Sequence, residues 1–159
     1  MTFAFGQRSL DRLTGVHPDL IRVLKRAITL STVDFMVVEG VRSDENCRIN
    51  YGKGRTAAQC AAAGIGKEYA APKLAKVTWL RNPYNSRHRK QADGFGHAVD
   101  LLPAPYDWKD IKGFDAVADA MMAAAELEGV HVRHGGDWDA DGVRREKGEG
   151  DSPHFELKS

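Results

Sequence analysis

Asp100 lies in the middle of an apolar run and constrains the fold more than any other residue of the sequence. The run Ala98–Leu102 has the length and composition of a buried strand. An ionised carboxylate without a partner is costly to bury. The sequence therefore predicts that Asp100 either accepts a hydrogen bond at the strand end or is neutralised by a metal ion.

Histidines on both sides of this strand can join Asp100 in such a site. His88 and His97 precede it, and His154 follows near the end of the sequence, three residues after Asp151. Two imidazoles and one carboxylate suit a catalytic zinc ion, because three protein ligands leave a fourth position for water. A further carboxylate nearby supplies the base that a hydrolytic mechanism needs. The pattern thus predicts a hydrolytic zinc site, with His88 and His97 as rivals for the first ligand.

The motifs around these residues resemble those of a known family. They are Ser86-x-His88, Gly96-x-Ala98-x-Asp100 and Asp151-x-x-His154. They look like the signature of the zinc D-Ala-D-Ala carboxypeptidase and L-alanyl-D-glutamate endopeptidase superfamily (M15-type), and most like its phage endolysin branch. The stretches Phe3–Gly6 and Phe35–Arg42 share the likeness, which covers most of the chain outside residues 44–78. This chain departs from the motif because seven residues, Arg89–Phe95, follow His88, where the family usually has two.

The resemblance implies that zinc is bound by His88, Asp100 and His154. His88 is preferred to His97 because it keeps the Ser-x-His context, whereas His97 falls at a variable position of the motif. Glu156 shares a predicted strand face with His154, so it is a candidate to support that ligand. A solvent-facing glutamate fits the pattern equally well.

The resemblance also implies catalytic roles and a substrate. Asp151 would accept the proton of the attacking water and pass it to the leaving amine, while Arg42 would stabilise the oxyanion. Arg55 is the rival for that second role, because a similar Arg-Thr-x-x-Gln run often follows the strand in the family. The implied protein is an endolysin, a zinc metallopeptidase that cleaves the L-alanyl-D-glutamate bond of the peptidoglycan stem peptide. A D-Ala-D-Ala carboxypeptidase and a non-catalytic zinc-stabilised cell-wall binding domain are the alternatives.

A second metal-binding pattern, D-x-D-x-D-G, lies ahead of the last motif. Asp137, Asp139, Asp141 and Gly142 match the opening of a calcium-binding loop. The glutamate required at the twelfth position is replaced by Gly148. An irregular calcium site therefore competes with an ordinary acidic turn, and the missing ligand favours the turn.

Hydrophobic periodicity predicts an α+β fold. One helix opens at Pro18, and a second begins at Trp108 or Ile111 and ends at Gly129. The pattern further predicts strands at Phe35–Val41, Val77–Leu80, His97–Leu102, Val130–Arg133 and His154–Leu157, a loop at Asp44–Gly54, and short helices around Ser9–Leu13 and Thr56–Ala63. The resemblance implies the hedgehog/DD-peptidase arrangement, in which helices pack against a small antiparallel sheet.

The length and net charge of the chain limit the kinds of partner that the protein can have. We expect one zinc peptidase catalytic domain over residues 1–159, because a chain of 159 residues fits a single core. The 23 basic and 22 acidic side chains give a net charge of +1, which predicts no nucleic-acid partner. Neither a membrane-spanning run nor a signal-peptide pattern is visible. We expect a monomer made in the host bacterial cytoplasm, without membrane insertion, that acts on the cell wall after release.

Overall fold

The computed structural model describes residues 2–158, so Met1 and Ser159 lie outside the described residues. In chain order the elements are α1 (Gln7–Arg12), α2 (Pro18–Leu30), β1 (Phe35–Glu39), α3 (Asp44–Gly52), α4 (Ala57–Ala62), β2 (Ala98–Pro103), α5 (Ile111–Glu128), β3 (Val132–His134) and β4 (His154–Leu157). Short 3₁₀ turns occupy Lys67–Tyr69 and Pro83–Asn85. The α+β class is confirmed.

The strands form an antiparallel sheet in the order β1-β2-β4-β3. Its register places Asp100 opposite His154 across the β2–β4 pair and opposite Glu39 across the β1–β2 pair. Side chains directly opposite one another have Cβ atoms about 4.5–5.5 Å apart. The register alone therefore brings a carboxylate and an imidazole from distant parts of the sequence into contact.

Alternation along β2 and β4 separates the hydrophobic core from the polar face of the sheet. Val99, Leu101 and Phe155 are fully buried in a core that they share with α2 and α5. Because successive side chains of a strand point to opposite faces, Asp100 and His154 project from the other face. The helices cover one face of the sheet, and the candidate site lies on the other.

Both long helices begin where the sequence predicts, and the second also ends there. Pro18 occupies the first turn of α2, where its missing N–H leaves no bond unmade. Asp110 caps α5 by accepting a hydrogen bond from the Gly113 amide, and Gly129 ends that helix in the left-handed conformation at φ 66°. No helix within residues 2–158 combines the length and apolar character needed to cross a membrane.

Two predictions about the middle of the chain are wrong. The predicted loop Asp44–Gly54 is largely the helix α3, because Ser43 caps it by accepting from the Asn46 amide and acidic residues fill its first turn. The predicted strand Val77–Leu80 forms no ladder with any strand in the described part of the chain. Buried Arg55 holds this extended segment instead by donating to the Thr78 carbonyl oxygen over 2.9 Å.

The middle of the chain packs around a small apolar cluster of its own. Tyr51, Cys60 and Ile65 form the buried part of this cluster, with Tyr69 and Tyr84 packed against it. The predicted Thr56–Ala63 helix is present as α4 and carries a capping box between Thr56 and Gln59. Both cysteines of the sequence are free and buried.

The first prediction concerns Gly40, which follows β1. A Cβ atom built there would lie 2.0 Å from the carbonyl oxygen of Arg12. Gly40→Ala should therefore lower the free energy of unfolding by about 1–3 kcal/mol, the usual scale of overpacking. Gly6→Ala is the control, because an added Cβ there meets no atom within 4 Å. Denaturant unfolding of both variants checks this, and equal stability of Gly40→Ala and the parent would contradict it.

Candidate metal centre and active site

The three predicted zinc ligands lie together on the face of the sheet that α2 and α5 leave open. Asp100 Oδ1 is 3.3 Å from His88 Nε2 and 3.4 Å from His154 Nδ1. The ligand atoms all lie within 4.8 Å of one another. Two ligands of a tetrahedral zinc ion, each about 2.0–2.1 Å from it, are separated by about 3.3 Å. The measured separations therefore fit ligands of a single zinc ion.

Hydrogen bonds select the ring nitrogen of each histidine that faces Asp100. His88 Nδ1 donates to the carbonyl oxygen of Gly40 over 2.9 Å, and His154 Nε2 donates to Glu156 Oε1 over 2.8 Å. When the rings are neutral, the other nitrogen of each one presents a lone pair to the carboxylate. Within residues 2–158, buried His88 Nε2 and Asp100 Oδ1 have no hydrogen-bond partner. Acceptors that face each other in a buried site fit a cation between them, and these donor atoms are ones that zinc prefers.

The charges at the triad stabilise one another. Burial raises the pKa of Asp100, but His154 and His88 outweigh that effect and hold the pKa well below its usual range. Burial lowers the pKa of His154, but Asp100 and Glu156 reverse the balance and raise it to about 9. In the metal-free protein His154 is therefore protonated at neutral pH. A metal must displace that proton, so metal binding weakens as the pH falls.

Asp151 lies beside the triad and reaches its edge. Its Oδ2 is 3.8 Å from His154 Nδ1, while the side chain remains 56% exposed. Desolvation in the cleft raises the pKa of Asp151 above that of an ordinary aspartate, with a further contribution from the Asp100 charge. This carboxylate is close enough to act on a molecule bound at the triad and open enough to meet a substrate.

Backbone contacts hold Asp151 in this position. Its amide donates to the Gly135 carbonyl oxygen, and the Gly135 amide donates to that of His154. A Cβ at Gly135 would lie 2.4 Å from the Asp151 carbonyl oxygen, so the close approach needs glycine. His134 has a structural role: its Nε2 donates to the Ser152 carbonyl oxygen over 2.8 Å, and its ring stacks on Phe155. The segment carrying Asp151 is therefore fixed from both ends.

Arg42 lines the same cavity as the triad and Asp151. Its guanidinium donates to both oxygens of Glu39, over 2.5 and 3.0 Å, and to Ser86 Oγ over 3.2 Å. Burial alone would lower the pKa of Arg42, but Glu39 raises it above its usual value. These contacts hold a permanent positive charge at the wall of the site.

Arg55, the rival of Arg42, serves the fold. It is buried, and its guanidinium donates to the carbonyl oxygens of Tyr51 and Thr78. The same group lies over the Tyr51 ring at 3.9 Å. Because these contacts occupy its donors, Arg42 is the arginine that the structure places at the site.

His97, the rival of His88, belongs to a different cluster. Its Nε2 lies 2.7 Å from Asp93 Oδ2, which is also 3.7 Å from His17 Nε2. Its Nδ1 lies 3.1 Å from the Arg87 guanidinium, which can only donate. His97 Nε2 must therefore carry a proton and donate to Asp93. This histidine secures the inserted segment 89–95, and the structure separates it from the triad.

The predicted calcium pattern forms a compact acidic turn. One carboxylate oxygen each of Asp137, Asp139 and Asp141 lies within 4.8 Å of the others, and Asp139 also meets Glu146 and Glu149 in this way. Glu149 is buried, and its Oε2 accepts from the Asp139 amide over 3.2 Å. Its Oε1 has no hydrogen-bond partner among the residues described. Glu149 lies one position beyond the loop's twelfth residue, where a fixed-spacing search does not find it.

Sequence reasoning missed several residues that support the site. Glu39 orients Arg42, and the Gly40 carbonyl orients His88. Gly135 has no side chain and therefore allows the backbone of Asp151 to approach closely. Glu39 and Gly40 lie within a stretch that the family resemblance had marked, but their partners are distant in sequence. No local pattern identifies Gly135, because its function depends on a backbone contact made in the folded chain.

The second prediction separates the two candidates for the first zinc ligand. His88→Ala should lose zinc, because it removes the Nε2 lone pair that faces Asp100, and His97→Ala should keep it. Inductively coupled plasma mass spectrometry of the purified variants measures zinc per chain, and His154→Ala serves as the positive control for loss. Zinc loss from His97→Ala combined with full zinc in His88→Ala would reverse the assignment.

Known proteins are similar to this chain in both sequence and fold. The chain is 30% identical to the L-alanyl-D-glutamate peptidase of Escherichia phage T5 over 163 residues, covering 99% of each chain. Its structure matches the crystal structure of the L-Ala D-Glu endopeptidase ChiX of Serratia marcescens with a TM-score of 0.63 and 29% identity. That match covers 98% of this chain and 90% of the other. Both similarities confirm the resemblance inferred from the motifs.

The family comparison covers more of the chain than the motifs did. The family described as "Phage L-alanyl-D-glutamate peptidase" matches residues 1–63 and 69–158. The match thus includes most of the stretch 44–78, which the motifs left outside the likeness. This chain belongs to the phage L-alanyl-D-glutamate peptidase family.

Proposed function

We propose that the protein hydrolyses the L-alanyl-D-glutamate bond of the peptidoglycan stem peptide with a zinc ion held by His88, Asp100 and His154. Its family makes it an enzyme that acts on peptidoglycan peptides, as the sequence predicted. The single observation that carries the metal assignment is the pair of buried, unpartnered acceptors on His88 and Asp100. When bound, zinc supplies a Lewis acid that lowers the pKa of water to about 7.

The protein's own residues orient the ligands and move the proton. Gly40 and Glu156 keep the lone pairs of the two imidazoles directed at Asp100. Asp151 Oδ2 accepts a proton from the attacking water and then delivers it to the nitrogen of the leaving amine. Its raised pKa favours holding that proton between the two steps. Asp151 therefore serves first as base and then as acid.

Arg42 meets the charge that develops on the scissile carbonyl oxygen. Glu39 and Ser86 hold its guanidinium in place, so little reorganisation is needed when the charge appears. The alternative of a non-catalytic zinc-stabilised binding domain does not need a carboxylate at the edge of the triad. Cleavage of a terminal D-Ala-D-Ala bond is the weaker alternative, because the family and the relatives described above are named for the L-alanyl-D-glutamate bond.

We further propose that residues 1–159 form one catalytic domain that works as a monomer. We also propose that it is made in the host bacterial cytoplasm and reaches the cell wall after release. The near balance of 23 basic and 22 acidic side chains argues against a nucleic-acid partner.

The acidic turn supports a separate proposal, a calcium site beside the catalytic segment. Asp137, Asp139 and Asp141 would supply oxygen ligands, and buried Glu149 would replace the missing glutamate of the standard loop. Glu149 is two residues before Asp151. Ordering of the turn by calcium would therefore bear on the position of the catalytic base.

The third prediction tests the proposed mechanism through Asp151. Asp151→Asn keeps the shape of the side chain but cannot accept a proton, so turnover should fall by about 100- to 10,000-fold with zinc retained. Asp11→Asn, an exposed aspartate on α1, is the control. Mass spectrometry of digested peptidoglycan measures the rate and identifies the bond from its new termini. Parental turnover by Asp151→Asn would show that Asp151 is structural.

The same enzyme should show a specific pH dependence. Asp151 must be ionised to act as a base, so the rate should fall as the pH drops through its raised pKa. That acidic limb reports Asp151 together with the triad it touches, because interacting groups share their titration. Its absence from the parental pH profile would contradict the assigned role.

The fourth prediction concerns calcium. Titration calorimetry should detect one site with a dissociation constant of about 10⁻⁴ to 10⁻³ M, typical of irregular or extracellular calcium loops. Glu149→Gln should weaken binding, because it removes a charged ligand, whereas Glu126→Gln on the exposed face of α5 should not. Absence of calcium binding at millimolar concentration would dispose of the site.

A further inference from the structure

An apolar cavity adjoins the catalytic residues. It has a volume of about 820 Å³, and Val77, Trp79, Leu80, Trp138 and Asp151 contribute to its wall. We call it the aromatic cavity. Trp79 is 76% exposed, although an indole in water leaves a large apolar surface uncovered. A cavity of this size fits a small ligand.

The aromatic cavity is continuous with the metal centre. Trp138 and Asp151 line both this cavity and the one that contains the triad. The Trp138 ring centroid is 5.6 Å from that of His154. One molecule could therefore occupy the aromatic cavity with one part and place a bond of another part at the triad.

The segment that presents Trp79 is anchored despite its exposure. Arg55 donates to the carbonyl oxygen of neighbouring Thr78, and that guanidinium is buried against Tyr51. An exposed indole on a held segment is preorganised as a contact surface, because little order has to be gained on binding.

The cleft has a different character where it contains Arg42. A cavity of about 400 Å³, which we call the charged cavity, is lined by the cations Arg42 and Lys53 and by the carboxylates of Glu39, Asp100 and Asp151. Glu39 pairs with Arg42, whereas Lys53 forms no ion pair within residues 2–158. In the wall of the aromatic cavity, Asp151 is the one charged residue over the same range. The cleft is thus charged in one part, with Lys53 as an unpaired cation, and apolar in the other.

The two ends of the proposed substrate differ in the same way. The alanine nitrogen is amide-linked to the lactyl group of an N-acetylated amino sugar, so that end is uncharged and carries a pyranose ring with an apolar C–H face. The glutamate on the other side of the scissile bond keeps a free carboxylate. We propose that the aromatic cavity binds the amino sugar, with Trp79 stacking on the ring, while Lys53 in the charged cavity takes the glutamate carboxylate. This inference rests on the proposed function and assigns the direction in which the substrate lies.

Two substrates that differ only in the sugar test this proposal. One is the disaccharide-linked stem tetrapeptide, and the other is the same tetrapeptide without sugar. Trp79→Ala should reduce kcat/KM for the sugar-linked substrate at least about 10-fold and leave the sugar-free value within about twofold. Trp79→Phe should recover much of the loss, because it restores an aromatic face. Trp108→Ala, which changes an exposed indole lining the charged cavity, should preserve the ratio between the two substrates.

A binding measurement separates this proposal from the proposed function. The peptide-free disaccharide is titrated into the purified protein while the indole N–H signals are followed by NMR, and the Trp79 signal should shift. Equal losses of kcat/KM on both substrates for Trp79→Ala would overturn the proposal, as would an unshifted Trp79 signal at saturating sugar. If the parent cleaved neither substrate yet the Trp79 signal shifted, the sugar site would stand and the proposed function would fail.

Discussion

The carboxylate of Asp100, whose buried Oδ1 faces two imidazoles, is the group on which the rest of this structure depends. Three acceptors in a site of low water content repel one another unless a cation or a proton lies between them. Asp100 and Glu156 raise the pKa of His154, which favours a proton at this position in the metal-free protein. The proposed zinc ion would be held by all three ligands at once and would add Lewis acidity.

The two histidine ligands are oriented by groups from different parts of the sheet. The positions of the ligand atoms therefore depend on how the strands pack. Gly40 follows β1 and fixes the His88 ring, and Glu156 lies on β4 and fixes that of His154. The antiparallel register then sets both rings against Asp100 on β2. Glycine is required where backbones approach closely, as at Gly40 against Arg12 and at Gly135 against Asp151. Conserving these contacts maintains the geometry that a catalytic metal needs.

The middle of the chain connects structural stability to substrate binding. Its small core around Tyr51 and Cys60 supports buried Arg55, which in turn holds the extended segment at Thr78. That segment forms the wall of the cleft between the metal centre and the aromatic cavity. A region without catalytic groups of its own therefore determines what the catalytic groups can reach.

The sequence by itself determined the α+β class, both long helices, the last strand, and Asp100 and His154 as members of the triad. These depend on local information: the helical stripes, the caps at Pro18 and Gly129, and motifs in which a histidine or aspartate has a fixed neighbour. Local information also contained the Ser43 cap of α3, which the polar composition of that segment obscured. The tertiary structure alone decided which histidine joins Asp100, which arginine lines the site, and that Glu149 faces the acidic turn. Those choices depend on backbone contacts between residues far apart in the chain, and neither spacing nor composition encodes such contacts.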